Sequence, residues 1–197
     1  MPAQYLPEIE KLKVDRRRLP SFLNKQEINR MAAQLEGEAL LAFWILRYSA
    51  ARRGEIARKF VGDERGLKWK HIDWARNRIR FYGKKKERIV PMYPKLRELL
   101  HERKNALGAQ AHPEAHIISL VRDTLSDYFS KARLKAGITK PGAVHILRHS
   151  AATTMLESGA NIREVQDFLG HSTIAVTEIY THVVQEKLEN AVLRAFA

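Results

Sequence analysis

A mainly helical domain carrying one small antiparallel sheet, an α+β architecture, is what this sequence predicts, and three observations predict it. From Pro94 onward the apolar residues recur at helical rather than alternating spacing. Gly137, Gly142, Gly159 and Gly170 punctuate those stretches as C-terminal stops would. A single pair of short β-type runs, Arg78–Tyr82 and Glu87–Pro91, flanks the turn Gly83-Lys84-Lys85-Lys86 and reads as a hairpin with a basic tip. At 197 residues and 45% hydrophobic content the chain is long enough for one well-buried core and short for two, so one domain is expected.

The elements follow in order. Residues 1–20 combine Pro2, Pro7 and Pro20 with Lys11, Lys13, Arg16, Arg17 and Arg18, which reads as an extended basic arm or linker. Asn24 offers an N-cap with Glu27 three residues on, opening a helix through roughly Leu35. A strongly apolar second helix runs from Glu38 to Ser49, with Leu40, Leu41, Phe43, Trp44 and Leu46 as core. After the hairpin the spacing predicts helices over about Lys95–Lys104, Asp123–Ala136, His145–Ser158, Ile162–Leu169, Thr173–Tyr180 and Gln185–Arg194. No internal repeat or low-complexity tract is present.

Charge narrows the class of partner. Thirty-five Lys+Arg against 22 Asp+Glu give a net charge of +13 and a pI of about 10.1. Such a balance favours a polyanion through counterion release, nucleic acid first. A membrane is disfavoured, since no apolar run reaches the ~18 residues a span requires. Glu8, Glu10 and Asp15 also interrupt any signal-like start, so a soluble protein inside the cell is expected. The chain has no cysteine, which excludes disulfides, thiolate nucleophiles and sulfur-ligated zinc, and leaves oxygen as the source of any nucleophile.

Two arginines, two histidines and a tyrosine make up a phosphate-handling set. Arginine presents a planar fork matching pairs of phosphate oxygens, histidine moves a proton near neutral pH, and a tyrosine hydroxyl can attack phosphorus and leave again. His145 and Arg148 are three apart, so on a helix they project from one face toward one phosphate. His171 and Tyr180 are nine apart, which on one unbroken helix would set them about 180° apart at ~100° per residue. Gly170 ending one helix and Ser172 capping the next would free His171 at a junction. His145/His149 and His112/His116 have the i, i+4 spacing of a helical zinc pair, but neither carries the glutamate of a His-Glu-x-x-His site and no third ligand is evident, so no metal is expected. No Gly-x-x-x-x-Gly-Lys-Ser/Thr loop exists, so nucleotide use is not implied.

The order and flanks of these residues resemble the tyrosine recombinases, the phage integrase family, over nearly all of residues 21–197. Ser49-Ala50-Ala51-Arg52-Arg53-Gly54-Glu55-Ile56 resembles the family's first box, in which arginine precedes glutamate by three, which selects Arg52 over Arg53. His145-Ile146-Leu147-Arg148-His149-Ser150-Ala151-Ala152 resembles the second box, and Leu169-Gly170-His171-Ser172 with Ile179-Tyr180-Thr181-His182-Val183 the third. Lys84 follows Gly83 in the hairpin where the family carries a catalytic lysine, although a turn one residue longer than usual leaves Lys85 and Lys86 as alternatives. A second departure is Ala57–Gly66, several residues longer than the family's usual connection to its Leu-x-Trp-x-x-Ile-Asp segment, here Leu67–Asp73. A longer loop with no assigned role is expected there.

The resemblance implies a tyrosine recombinase catalytic-domain fold at 21–197 and a cofactor-independent DNA strand transfer. Tyr180 would attack a phosphodiester, forming a 3′-phosphotyrosyl link and releasing a 5′-hydroxyl. Arg52, Arg148 and His171 would bind the non-bridging oxygens, Lys84 would protonate the leaving oxygen, and His145 would act as base or proton shuttle for Tyr180. Glu55 would support Arg52, either orienting it or capping a backbone group, because a carboxylate beside the phosphate would oppose its charge. The implied partner is double-stranded DNA, contacted by Lys11, Lys13, Arg16–Arg18, Lys85 and Lys86, with self-association into a tetrameric synapse through the tail 185–197. That tail, with Leu188, Val192, Leu193 and Phe196 at helical spacing, could equally pack on its own domain. The family adds an N-terminal helical domain, and nothing before Ser21 is long enough to be one, so the chain reads as the catalytic half of a prokaryotic, cytoplasmic, nucleoid-associated enzyme of a mobile element. The rivals are type IB topoisomerase-like relaxation and a DNA-binding module without catalysis. Neutralising Lys11, Lys13 and Arg16–Arg18 should lower the slope of log affinity against log salt by roughly 0.9 for each phosphate left without its cation, with little effect on strand cleavage. An unchanged slope in a salt titration would remove the arm from the DNA interface.

Overall fold

The computed structural model describes residues 21–83, 87–170 and 180. Seven α-helices lie among them: α1 (Lys25–Ala32), α2 (Gly37–Ser49), α3 (Arg53–Ile56), α4 (Pro94–Leu107), α5 (Arg122–Lys135), α6 (His145–Glu157) and α7 (Ile162–Leu169). One three-stranded antiparallel sheet accompanies them, ordered β1 (Ile72–Asp73), β2 (Arg78–Tyr82), β3 (Glu87–Pro91).

The expected α+β architecture is present, and each helix starts or stops for an identifiable reason. Asn24 and Glu27 form a capping box at α1, the Asn24 Oδ1 accepting from the Glu27 N–H at 2.9 Å and the Glu27 carboxylate from the Asn24 N–H at 2.8 Å. Asn161 and Glu164 repeat the device at α7. The first helix ends at Ala32 rather than near Leu35, although Leu35 still reaches the core from outside it. Glycines follow α5, α6 and α7 as expected, whereas Gly142 sits in the connection before α6.

Helix α2 is buried nearly all round and packs against α4, α5 and α6, which makes it the axis of the domain. Phe43 on that helix is fully buried and meets Trp44 and Phe129 edge to face, at centroid distances of 5.1 and 5.9 Å. On β2 the side chains alternate: Ile79 and Phe81 enter the core, while Arg78, Arg80 and Tyr82 stay exposed. The hairpin register pairs Ile79 with Val90 and Phe81 with Arg88, so an arginine faces the inner side of β3.

Among the α-helices and strands, two elements were not anticipated. The two-residue β1 pairs with the start of β2, and α3 is a single turn carrying the Arg52–Glu55 box. Both are too short to show a period. The long connection at 57–66 is an irregular loop held by Asp63, whose carboxylate accepts from the Lys59 and Arg65 N–H groups and from the Arg65 guanidinium. Among the described residues no helix is long and apolar enough to cross a membrane. Because Phe43 stands between α2 and α5, Phe43→Ala should cost about 3–5 kcal/mol in a urea unfolding titration.

Candidate active site

The site forms where two helices end. Helix α2 finishes at Ser49, and Ala50 takes a left-handed conformation, φ 49°, that turns the chain toward Arg52. Helix α7 finishes at Leu169, and Gly170 takes the left-handed cap, φ 65°. Glycine is needed there twice over, since a Cβ would stand 2.7 Å from Cδ of Arg88.

Unpaired carbonyls at these ends attract cations, both as hydrogen-bond acceptors and as the negative ends of helix dipoles. Arg88 donates to the carbonyls of Ser49 at 3.1 Å and Phe168 at 2.8 Å. Arg148, from the first turn of α6, donates to the carbonyls of Ala50 and of Leu169, the latter at 2.6 Å. Two guanidiniums thus join the same two helix ends.

Glu55 completes the frame. Its side chain is 4% exposed, and it accepts from the Arg52 backbone N–H at 2.8 Å, the Arg52 guanidinium at 3.1 Å and Arg88 at 2.9 Å. Burial alone would raise its pKa, but Arg88 and then Arg52 outweigh burial and hold it below the usual carboxylate range. Both supporting roles considered for Glu55 are therefore realised together: it orients Arg52 and caps a backbone N–H. Arg52 is the accessible cation of the group, its side chain 45% exposed and its second amino group 3.4 Å from the Gly170 carbonyl.

Three arginines around one carboxylate leave uncompensated positive charge. Arg148 registers it: burial first, then Arg52 and Arg88, pull its pKa down to about 10, still charged at neutral pH. Positive charge held in this way attracts anions.

Tyr180 lies beside this frame, 1% exposed, in a cluster with Ala50, Ala151, Ala152, Leu156, Val165 and Leu169. Burial raises its pKa to about 12 against the opposing pull of Arg148. Its hydroxyl is 2.5 Å from Nδ1 of His149. Burial, then His145 and Arg148, lower the pKa of His149. With both groups neutral, the phenol donates and Nδ1 accepts.

The structure therefore brings together Arg52, Glu55, Arg148 and Tyr180 as expected from the sequence. His145 opens α6 exposed and makes no hydrogen bond to a described residue; the contact expected of it with the Tyr180 hydroxyl belongs to His149, one helical turn on. The cause is geometric, because α6 presents Arg148 and His149 inward while its first residue faces solvent. Lys84, Lys85, Lys86, His171, the arm residues Lys11, Lys13 and Arg16–Arg18, and the tail 185–197 lie outside the described residues. Arg88 was missed, although a signal existed: strand alternation places it on the same face as Val90, and a buried arginine there demands a partner. Among the described residues no group of three or more His, Asp or Glu could hold a metal ion.

Residues 21–187 match the model of the phage integrase family. The chain belongs to that family. Among curated phage integrase relatives, the tyrosine recombinase XerD of Lacticaseibacillus casei is 33% identical over 185 residues, covering 86% of this chain and 61% of that protein. Among solved structures, XerA recombinase superposes with a TM-score of 0.73 at 25% identity, covering 91% of this chain and 66% of that one. The catalytic domain of bacteriophage HP1 integrase gives 0.63 at 26% identity, covering 88% of this chain and 94% of that domain. The fold is thus that of a tyrosine recombinase catalytic domain, and the chain spans 51–66% of the length of three of the curated relatives it matches.

The integrase frame depends on the fork of Arg88. Arg88→Lys keeps the charge but cannot serve two carbonyls and Glu55 together, so it should cost about 1–3 kcal/mol in urea unfolding, with Arg88→Ala costing about 3–5 kcal/mol.

Proposed function

We propose that this chain is the catalytic part of a site-specific DNA recombinase that breaks and rejoins strands through a 3′-phosphotyrosyl intermediate. The observation that carries the reading is the pairing of Arg52 and Arg88 with Glu55, next to Arg148 on the adjoining helix ends and the buried Tyr180 hydroxyl. Family membership supports it, as does the net charge of +13.

In this reading a DNA phosphate enters at Arg52 and Arg148. Tyr180 Oη bonds to phosphorus as the bond to the 5′ oxygen breaks, and bond energy is retained in the ester, so no nucleotide is consumed. Charge on the non-bridging oxygens is stabilised by these guanidiniums, the contribution that usually dominates phosphoryl transfer. A 5′-hydroxyl from another strand reverses the step. Lys84, or Lys85 or Lys86 in its place, protonates the leaving oxygen, and His171 adds a further phosphate ligand. Double-stranded DNA is the substrate, reached in the bacterial cytoplasm and held by the arm at 1–20, with the tail 185–197 joining subunits into a synapse. Relaxation without strand exchange is the weaker reading, since the relatives named above are recombinases.

Buried Tyr180 and carbonyl-bonded Arg148 describe the protein without DNA, and phosphate binding has to draw both toward the substrate. Tyr180→Phe should abolish a covalent protein–DNA adduct on nicked duplexes tiled across the DNA flanking the gene, a loss of about 10⁴-fold or more, while sparing DNA binding. An adduct that survives in the variant, seen on a denaturing gel, would exclude Tyr180 as nucleophile.

A further inference from the structure

The single turn α3 carries Arg52 at its N-cap and Glu55 three residues on. The cation that meets the phosphate in the proposed reaction is therefore only as well placed as that turn. Four residues do not hold a helical turn by themselves, because nucleation costs more than the first hydrogen bonds return. Ile56 is fully buried and anchors the turn in the core, and Arg88 ties it to β3 through Glu55. The side that meets α5 is held by a different guanidinium.

Arg122, the first residue of α5, supplies that hold. Its Nε donates to the Ala57 carbonyl at 2.9 Å and a terminal amino group donates to the Gly54 carbonyl at 3.2 Å. These are acceptors that the end of a helix leaves open. The backbone of the same residue joins in: its N–H donates to the Arg58 carbonyl at 2.8 Å, and its carbonyl accepts from Arg53 at 3.3 Å and from the Ser126 hydroxyl at 2.9 Å. Arg53 also donates to the Ser126 oxygen at 2.5 Å, so the second arginine of the pair serves the junction with α5 while Arg52 serves the site.

Gly54 shows how close the grip is. A Cβ there would stand 3.0 Å from Cζ of Arg122, so the guanidinium lies against the turn in space that the missing side chain leaves. A planar fork can address two carbonyls at once, which a single ammonium does less well. The grip uses backbone carbonyls and no atom of Tyr180 or of the Arg52 and Arg148 side chains, so a phosphate can bind without breaking it.

We propose that Arg122 is a positioning residue for strand cleavage, its grip on the Gly54 and Ala57 carbonyls setting where the Arg52 guanidinium stands. The inference rests on the reading of Arg52 as a phosphate ligand beside the nucleophile Tyr180. Arg122 itself touches no substrate. Misplacing a transition-state ligand by about 1 Å costs on the order of 10²-fold in rate, whereas affinity for DNA is spread over many phosphate contacts.

The test uses the full chain on nicked duplexes that yield an adduct with the unmodified protein, with rates taken at saturating DNA and scaled to the folded fraction from urea unfolding. Arg122→Ala should slow adduct formation by about 10- to 10²-fold, with the half-saturating DNA concentration changed by about twofold or less. Arg122→Lys, which keeps the charge and loses the fork, should be slow as well. Gly54→Ala leaves Arg122 in place and displaces only the flexible end of its side chain, so stability should hold while the rate falls less far than in Arg122→Ala. In an Arg52→Ala background, itself slower by about 10²- to 10³-fold, adding Arg122→Ala should change the rate by about twofold or less, because no guanidinium remains to be placed. A purely structural role would lower stability and slow both backgrounds alike.

Unmodified rates in Arg122→Ala or Arg122→Lys, or an Arg122→Ala penalty as large with Arg52 absent as with it present, would each overturn the assignment. Arg52→Ala and Tyr180→Phe run in parallel separate it from the reading beneath it. If either forms the adduct at the unmodified rate, that reading fails and the inference with it. If both are impaired while Arg122→Ala is not, only the role of Arg122 fails.

Discussion

The C-terminal ends of α2 and α7 are held together by arginine, and the rest of the site depends on that junction. Consecutive carbonyls, Ser49 and Ala50 on one side and Phe168 and Leu169 on the other, each accept from Arg88 or Arg148. No backbone ladder connects the two helices. Remove the guanidiniums and four buried or half-buried acceptors are left without partners, each at a cost of about 1–3 kcal/mol where water cannot replace them. In the proposed reading one of the two, Arg148, also meets the phosphate, so at that residue cohesion of the fold and preparation for an anion are one arrangement.

Glu55 sets the balance of that arrangement. With no carboxylate, three guanidiniums would repel one another across a low-dielectric pocket; a second carboxylate would halve the net positive charge left for an anion. One carboxylate, tied by Arg52 and Arg88 and by a backbone N–H, steadies the cluster and leaves a net cation for a ligand. Arg52 is open to solvent while Arg88 and Arg148 are enclosed, so the frame has one exposed arm and two fixed ones. Burial and the neighbouring guanidiniums together pull the pKa of Arg148 down.

Tyr180 shares its apolar surroundings with the helix ends, packing on Ala50 and Leu169, whose carbonyls bind Arg148. The nucleophile expected from the sequence is therefore packed against the backbone that Arg148 binds, its hydroxyl paired with the residue that follows Arg148 in α6. Small residues make this possible: Ala50, Ala151 and Ala152 leave room for a phenol ring that larger side chains would exclude.

Much of this protein was legible in its sequence. Capping at Asn24, the apolar run of α2, the hairpin and the glycine after α7 are local features, decided by neighbours within a turn or two, and local chemistry is what a sequence states directly. The identities of Arg52, Glu55, Arg148 and Tyr180 were readable too, because their flanks form boxes. What the tertiary structure alone decided was which groups meet. Arg88 reaches Phe168 across 80 positions, and Arg148 reaches Ala50 across 98. His149 rather than His145 touches Tyr180, 31 positions away, because α6 turns only one of its histidines toward the buried cluster. A helical repeat says which residues share a face; only the packing of α6 against α2 and α7 says where that face points.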